Sequence, residues 1–287
     1  MDLSRLGSVL VTRWGAATDV GPARPENEDS WLAAPPLFAV ADGMGGHAGG
    51  AAASAGAVRA LGARLSADAL GSRRPDISDL DAAIEEAALA VAALADPTDP
   101  QAAPGSTLTG VLALDGEDGP AWLSFNIGDS RTYVVGAGGI RRLTKDHSAL
   151  QEARDLAAAT GEEVVRPPAN IVTRALGAGI AGLPEPDFAL VALSEGDLAL
   201  ICSDGVHGVL DDAELLRLAG IGGEPQEIAN RLVDAALAAG TQDNATAVVV
   251  RAETASGAGA PAPASEREVR AVRPAPTLTA RRANEEA

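Results

Sequence analysis

Five runs dominated by apolar residues recur along the chain, most of them bounded by Gly or Asp: LFAVADG, TLTGVLALDG, AWLSFNIGDSRTYVV, DLALICSDG and ATAVVVRAE. Their Val, Ile, Leu and Thr content, their shortness and their turn-forming boundaries predict β-strands. Between them the period changes to that of a helix. Val58, Leu61 and Leu65 share one face of 51–65, and Ile84, Ala88, Val91 and Ala95 share one face of 78–95, with Ser78 or Asp79 as the N-cap. Near the end, Ile228, Leu232 and Ala235 or Ala236 line one face of 225–239, with Pro225 at the start and Gly240 as the stop. Two helices in succession between strands break the strict alternation of a doubly wound parallel sheet. The pattern therefore predicts a layered α+β domain.

Residues 146–180 mix a helical stretch, a Pro-Pro break and a polar run, and read as an inserted flap or lid. Beyond Val250 the chain turns rich in Ala, Pro and charge and loses its apolar period, which predicts a disordered tail over 253–287 and one domain over 1–252. At 46% hydrophobic over 287 residues the chain can bury a sizeable core, and at 2% aromatic that core is aliphatic. Forty acids against 22 bases give a net charge of −18, which disfavours nucleic acid and anionic membrane as partners. The single cysteine, Cys202, excludes an internal disulfide framework and reads as a buried thiol in a reducing compartment. No window has the length of apolar residues needed to span a bilayer, and the N-terminus has no leader-like pattern, so the expected location is the cytoplasm.

Acids recur where strands end: Asp42 in VADG, Asp129 in NIGDS, Asp204 in CSDG, Asp243 in TQDNA, with Glu28 and Asp29 before another short apolar run. Any one of them reads as an ordinary turn residue. Several together, at the ends of strands in one fold, converge on one edge. Two carboxylates 4 Å apart at an effective dielectric of about 20 repel by about 4 kcal/mol. Hard divalent cations remove that conflict, because magnesium and manganese prefer carboxylate, carbonyl and water oxygens. Asp42 is the natural bridge between two ions, and Gly43, lacking a side chain, lets its own carbonyl approach one of them. Zinc is disfavoured, since three histidines and one cysteine form neither an HExxH pair nor a cysteine pair. Arg24 offers a planar fork for a phosphate dianion and reads equally as one solvated arginine among many. His47, in a glycine-flanked turn, reads equally as a proton donor to a leaving alkoxide and as an exposed loop histidine. His147 and His207 read as structural or surface residues.

RPENEDSW, VADGMGGHAGG, GSTLTG, NIGDSR, LTKDHS, VTRALG, CSDGV and QDNATAVVV stand in the order and rough spacing of the protein phosphatase 2C family, in its bacterial form, and the chain resembles that family over about residues 10–251. The resemblance implies an αββα sandwich: two antiparallel β-sheets packed face to face, helices on both outer faces, and a short flap. It also implies two Mn²⁺ or Mg²⁺ ions bridged by Asp42, with Asp204 and Asp243 on one and the Gly43 carbonyl on the other. Glu28 and Asp29 would hold metal-bound waters, Arg24 the phosphate, and His47 would be the general acid. Asp129 with Asp204 would hold a third, weaker ion. RPPAN at 166–170 departs from the family's flap pattern, and His207 stands where other residues are usual.

The activity so implied is removal of phosphate from phosphoserine or phosphothreonine in proteins by direct attack of a metal-bridging hydroxide, by a monomer opposing a bacterial serine/threonine kinase. Two readings compete with it. One is a binding module on the same fold, whose mark would be loss of the metal acids; the other is a hydrolase for a small phosphate ester.

Overall fold

A computed structural model of the chain describes residues 10–45, 49–71, 73–99, 102–116, 119–161, 164–180, 182–254 and 268–272. The first third carries β1 (Leu10–Asp19), β2 (Asp29–Ala34) and β3 (Leu37–Met44), then α1 (Gly49–Arg64), α2 (Ala67–Leu70) and α3 (Ile77–Ala92). Next come β4 (Gly105–Ser106), β5 (Leu108–Gly116), β6 (Gly119–Ile127), β7 (Arg131–Gly136), β8 (Gly139–Arg142) and α4 (Ala149–Thr160). The last third holds β9 (Leu176–Gly177), β10 (Asp187–Ala192), β11 (Leu198–Cys202), α5 (Asp204–His207), α6 (Asp212–Gly220), α7 (Pro225–Ala238), β12 (Ala245–Thr254) and β13 (Arg270–Val272).

The strands form two antiparallel sheets. One runs β1-β12-β11-β7-β8; the other runs β13-β10-β6-β5-β3-β4-β9, with β2 paired to β3. Period-two alternation sorts their side chains into three cores. Phe38, Val40, Val111 and Trp122 of the second sheet meet Val134, Ile201, Val248 and Val250 of the first between the sheets. The opposite face of the second sheet, with Leu37, Ala39 and Phe125, packs on Leu61, Leu80 and Ile84 of α1 and α3. The outer face of the first sheet, with Leu200 and Val249, packs on Leu215, Ile228 and Leu232 of α6 and α7. Four layers, α, β, β and α, follow from these three cores, as expected from the sequence.

Details differ from the sequence reading. The N-cap of α3 is Asp76, which accepts from Ser78 N and Asp79 N, while the Asp79 side chain returns to Asp76 N as a capping box. AWLSFNIGDSRTYVV is two strands, β6 and β7, broken at Gly128, whose φ of 103° suits glycine. The disordered-tail expectation is corrected for residues 253–254, which end β12, and for 270–272. Val272 lies beside Phe188 on the edge of the second sheet, so even this short stretch has an apolar anchor. The other tail residues lie outside the described ones. In the segment expected to form a flap, α4 carries no buried side chain, and its base is tied by Ala149 N to Ile171 O and Thr173 N to His147 O. No helix among the described residues is long and apolar enough to cross a membrane.

Candidate metal centre

Between the sheets the layer is apolar at its middle and turns polar toward one end. Asp42 continues the inward row of Phe38 and Val40 on β3, and Asp29, the first residue of β2, is its direct cross-strand partner. Buried hydroxyls separate this end from the apolar middle: Thr107, Thr109, Ser130, Thr132, Ser203 and Thr246. They hold the backbone of the acid-bearing strands. Thr107 Oγ1 accepts from Asp42 N at 2.9 Å and bonds Ser130 Oγ at 2.8 Å. Ser203 Oγ donates to Asp29 Oδ2 at 2.7 Å and accepts from Thr246 N at 3.0 Å.

Asp204 opens α5 immediately beyond β11, Asp243 lies just before β12, and Asp129 sits in the turn between β6 and β7. All three converge on Asp42, since the charges of Asp29, Asp204, Asp129 and Asp243 all act to raise the Asp42 pKa. Burial and these neighbours hold Asp42 far above the ordinary carboxylate range. Burial first, and then Asp204, pushes Asp129 up to about 7. Burial pushes Asp29 up to about 7 against the hydrogen bonds from Thr246 and Ser203, with Asp204 and Asp243 adding to the rise. Asp204 is raised by burial and by Asp243, and shares a hydrogen bond with the Asp42 carboxyl.

Arg24 reaches the cluster from the loop between β1 and β2 and donates Nη2 to Asp243 Oδ2 at 2.6 Å while remaining half-exposed. The Glu28 side chain accepts from Gly50 N and Ala51 N at the start of α1, and its carbonyl accepts from Gly43 N and Ser54 Oγ. Gly43 is confined more tightly than carbonyl access alone requires. A Cβ there would lie 2.2 Å from Gly50 O and 2.6 Å from Glu28 O, so glycine is what lets α1 start against the strand. His47 lies outside the described residues.

Among the described residues, no three His, Cys, Asp or Glu side chains stand at the spacing of one ion's ligand shell. Arg24 on Asp243 and Ser203 on Asp29 hold two of the carboxylates on protein partners. The donor set nonetheless fits a hard cation. All the converging side chains are carboxylates, and Asp29 Oδ1 is a buried oxygen with no hydrogen-bond partner.

A sequence profile of the family described as Protein phosphatase 2C matches residues 23–245, which spans every acid of this cluster. The chain belongs to the protein phosphatase 2C family. It is 36% identical over 241 residues to the serine/threonine protein phosphatase PstP of Mycobacterium tuberculosis, covering 84% of this chain and 45% of PstP. The chain thus spans less than half the length of that relative. With the serine/threonine phosphatase stp of Listeria innocua it shares 31% identity over 240 residues, 81% of this chain and 93% of the other. Among solved structures, the catalytic domain of PstP in complex with two manganese ions superposes with a TM-score of 0.70 at 34% identity, covering 85% of this chain and 100% of that one. The phosphatase MsPP of Mycobacterium smegmatis, in complex with cacodylate, gives 0.68 at 36% identity, covering 83% and 97%.

This family member carries supporting residues that strand-end reasoning passed over. Asn244 accepts from Glu28 N through Oδ1 and donates through Nδ2 to Val20 O and Glu26 O, clamping the loop that carries Arg24. Its place next to Asp243 was visible; its long-range partners were not. His207, with burial depressing its pKa to about 3, is neutral and bonds the Asp129 carbonyl through Nε2 at 2.9 Å. Arg131, paired with Asp146, underlies the same turn. His147 accepts from Gly128 N through Nδ1, which leaves Nε2–H to donate to Asp187. Cys202 is buried and its thiol is pushed up to about 12, an inert side chain as expected.

Proposed function

We propose that this chain is a metal-dependent protein serine/threonine phosphatase, and that the acid cluster at the open end of its inter-sheet layer binds two divalent ions, Mn²⁺ or Mg²⁺. The observation that carries the reading is the convergence of Asp29, Asp42, Asp129 and Asp204, whose pKa values burial raises, with the half-exposed Asp243 beside them, in one mutually repelling group with an orphaned carboxylate oxygen. When bound, such ions lower the pKa of water and offset charge on phosphate oxygens.

Each side chain then has a task. Asp42, flanked by Asp29 and Asp204, would hold both ions; Asp204 and Asp243 would hold one of them and the Gly43 carbonyl the other. Glu28 and Asp29 orient water, and Asp129 with Asp204 takes a third, weaker ion. Arg24, held at the mouth by Asp243 through Nη2, takes the phosphate dianion. His47 delivers a proton to the leaving alkoxide. The catalytic unit is the layered domain itself, with the α4 region as its flap, and its substrates are phosphorylated proteins, including those of a serine/threonine kinase. Retention of every metal acid argues against a binding module.

The test is manganese-dependent phosphate release from a phosphothreonine peptide. Release that is lost with EDTA, Asp204→Asn and Asp243→Asn supports the proposal; no release from folded, manganese-loaded protein overturns it.

A further inference from the structure

The edge strand β13 is paired to β10 over three residues, Arg270 to Leu190, Ala271 to Ala189 and Val272 to Phe188. On the helix side of the sheet the row is filled: Phe125 and Phe188 are buried in one core and Val272 packs against it, partly buried. On the inner side, the same three strands align Ser124, Ala189 and Ala271, all small. A cavity of about 770 Å³ opens at this edge; on the inner side it faces Leu143 and Lys145, and on the helix side Asp81, Phe188 and Val272 line it. Ser124 and Asn126, each only 1% exposed, stand in its wall, and Ser124 Oγ and Asn126 Oδ1 have no hydrogen-bond partner. The Asn126 amide is oriented unambiguously, because Nδ2 donates to Gly128 O and Lys145 O. The wall therefore presents an unpaired hydroxyl and an unpaired amide oxygen, and its rim adds Glu185, while Asp187 there is already held by His147 and Arg174.

We propose that this groove is a docking site for an extended peptide that adds a strand to β10 and places an arginine where the chain's own segment has Ala271. The segment 268–272 is the resident occupant, and it fits only half of the site: Val272 fills the apolar side, while Ala271 leaves the polar side unfilled. Laid across Ala189, an arginine side chain brings its guanidinium within hydrogen-bond reach of Ser124 Oγ, two strand spacings or about 10 Å away, with its stem on Leu143 and its charge toward Glu185. Main-chain pairing gives such a peptide its affinity and the inner pocket gives it specificity. The resident strand pairs over only three residues, so a segment that pairs as well and also fills the inner pocket displaces it. The groove borders the candidate centre, since Asn126 also holds the Gly128 carbonyl beside Asp129.

The probes are fluorescent synthetic peptides of residues 266–276, with Ala271 and with Ala271→Arg, titrated by anisotropy into the full chain and into its Val272→Asp variant. The proposal expects about tenfold tighter binding of the arginine peptide than of the alanine one. It also expects tighter binding of both to Val272→Asp, whose own segment is loosened. Equal affinities for the two peptides, equal affinities for the two proteins, or no binding at all overturns it. Should Val272→Asp not fold, Ala271→Arg in the full chain serves instead. Amide exchange at residues 188–190 then slows about tenfold if the pocket takes the guanidinium; unchanged or faster exchange contradicts the proposal.

Discussion

Stripped of divalent ions, the acid cluster makes the fold less stable as pH rises toward neutrality. Asp129 moves from an ordinary 3.8 to about 7, and Asp29 does the same. A carboxyl raised in the folded state contributes most to stability below its unfolded pKa near 3.8, and that contribution is lost as pH climbs through about 7. For one such group the full span corresponds to about 4 kcal/mol, and the part lost between pH 5 and 7.5 is about 2.5 kcal/mol. In a domain of this size that is roughly 5–10 °C in Tm. Differential scanning fluorimetry of EDTA-treated protein should therefore show a melting point that falls from pH 5 to 7.5. Saturating manganese should remove or invert the fall, because cations bind the ionised form. Since the net charge of −18 also disfavours high pH, Asp129→Asn is the discriminating control. It leaves the overall charge almost unchanged and should flatten the slope by about 2.5 kcal/mol. A metal-free melting point that is flat or rises with pH, or a slope unaffected by Asp129→Asn, would refute the reasoning.

Three further substitutions probe the supports. Gly205→Ala places a Cβ 1.9 Å from Asn244 O, so the start of α5 must shift; a loss of about 1–3 kcal/mol or more in denaturant unfolding is expected, with weakened manganese binding. Asp146→Asn leaves Arg131 without its buried carboxylate partner, which stands 2.7 Å away, and should cost about 3–5 kcal/mol by urea titration. Asn244→Ala removes three hydrogen bonds from the loop carrying Arg24 and should lower stability by about 2–3 kcal/mol. Steady-state kinetics with a phosphopeptide should show KM raised more than kcat is lowered, because phosphate capture suffers first.

The acid positions were legible because each strand carries its own stop: VADG, NIGDS and CSDG announce a strand end and a carboxylate in the same few residues. Period-two and helical patterns likewise announced the layers. Partners hundreds of residues apart carry no local mark, so the Asn244 clamp on Val20 and Glu26 could not be read from the chain. The α3 cap was misplaced because Asp76, Ser78 and Asp79 are all competent capping residues, and only geometry assigns Asp79 to the return bond of the box. Gly43 was singled out for carbonyl access alone, whereas its closest constraint in the fold is the start of α1. The strand at 270–272 was hidden by its Ala, Pro and Arg surroundings, and two valines at alternate cores are too short a signal to outweigh them.

The central claim, that these carboxylates exist to hold two divalent ions, is tested most directly by calorimetric titration of manganese into the metal-stripped chain. Two ions per chain in the main transitions, with binding of both lost in Asp42→Asn, is the predicted result. Absence of binding to the folded chain, or an Asp42→Asn variant that still takes up two ions with unchanged affinity, would contradict it.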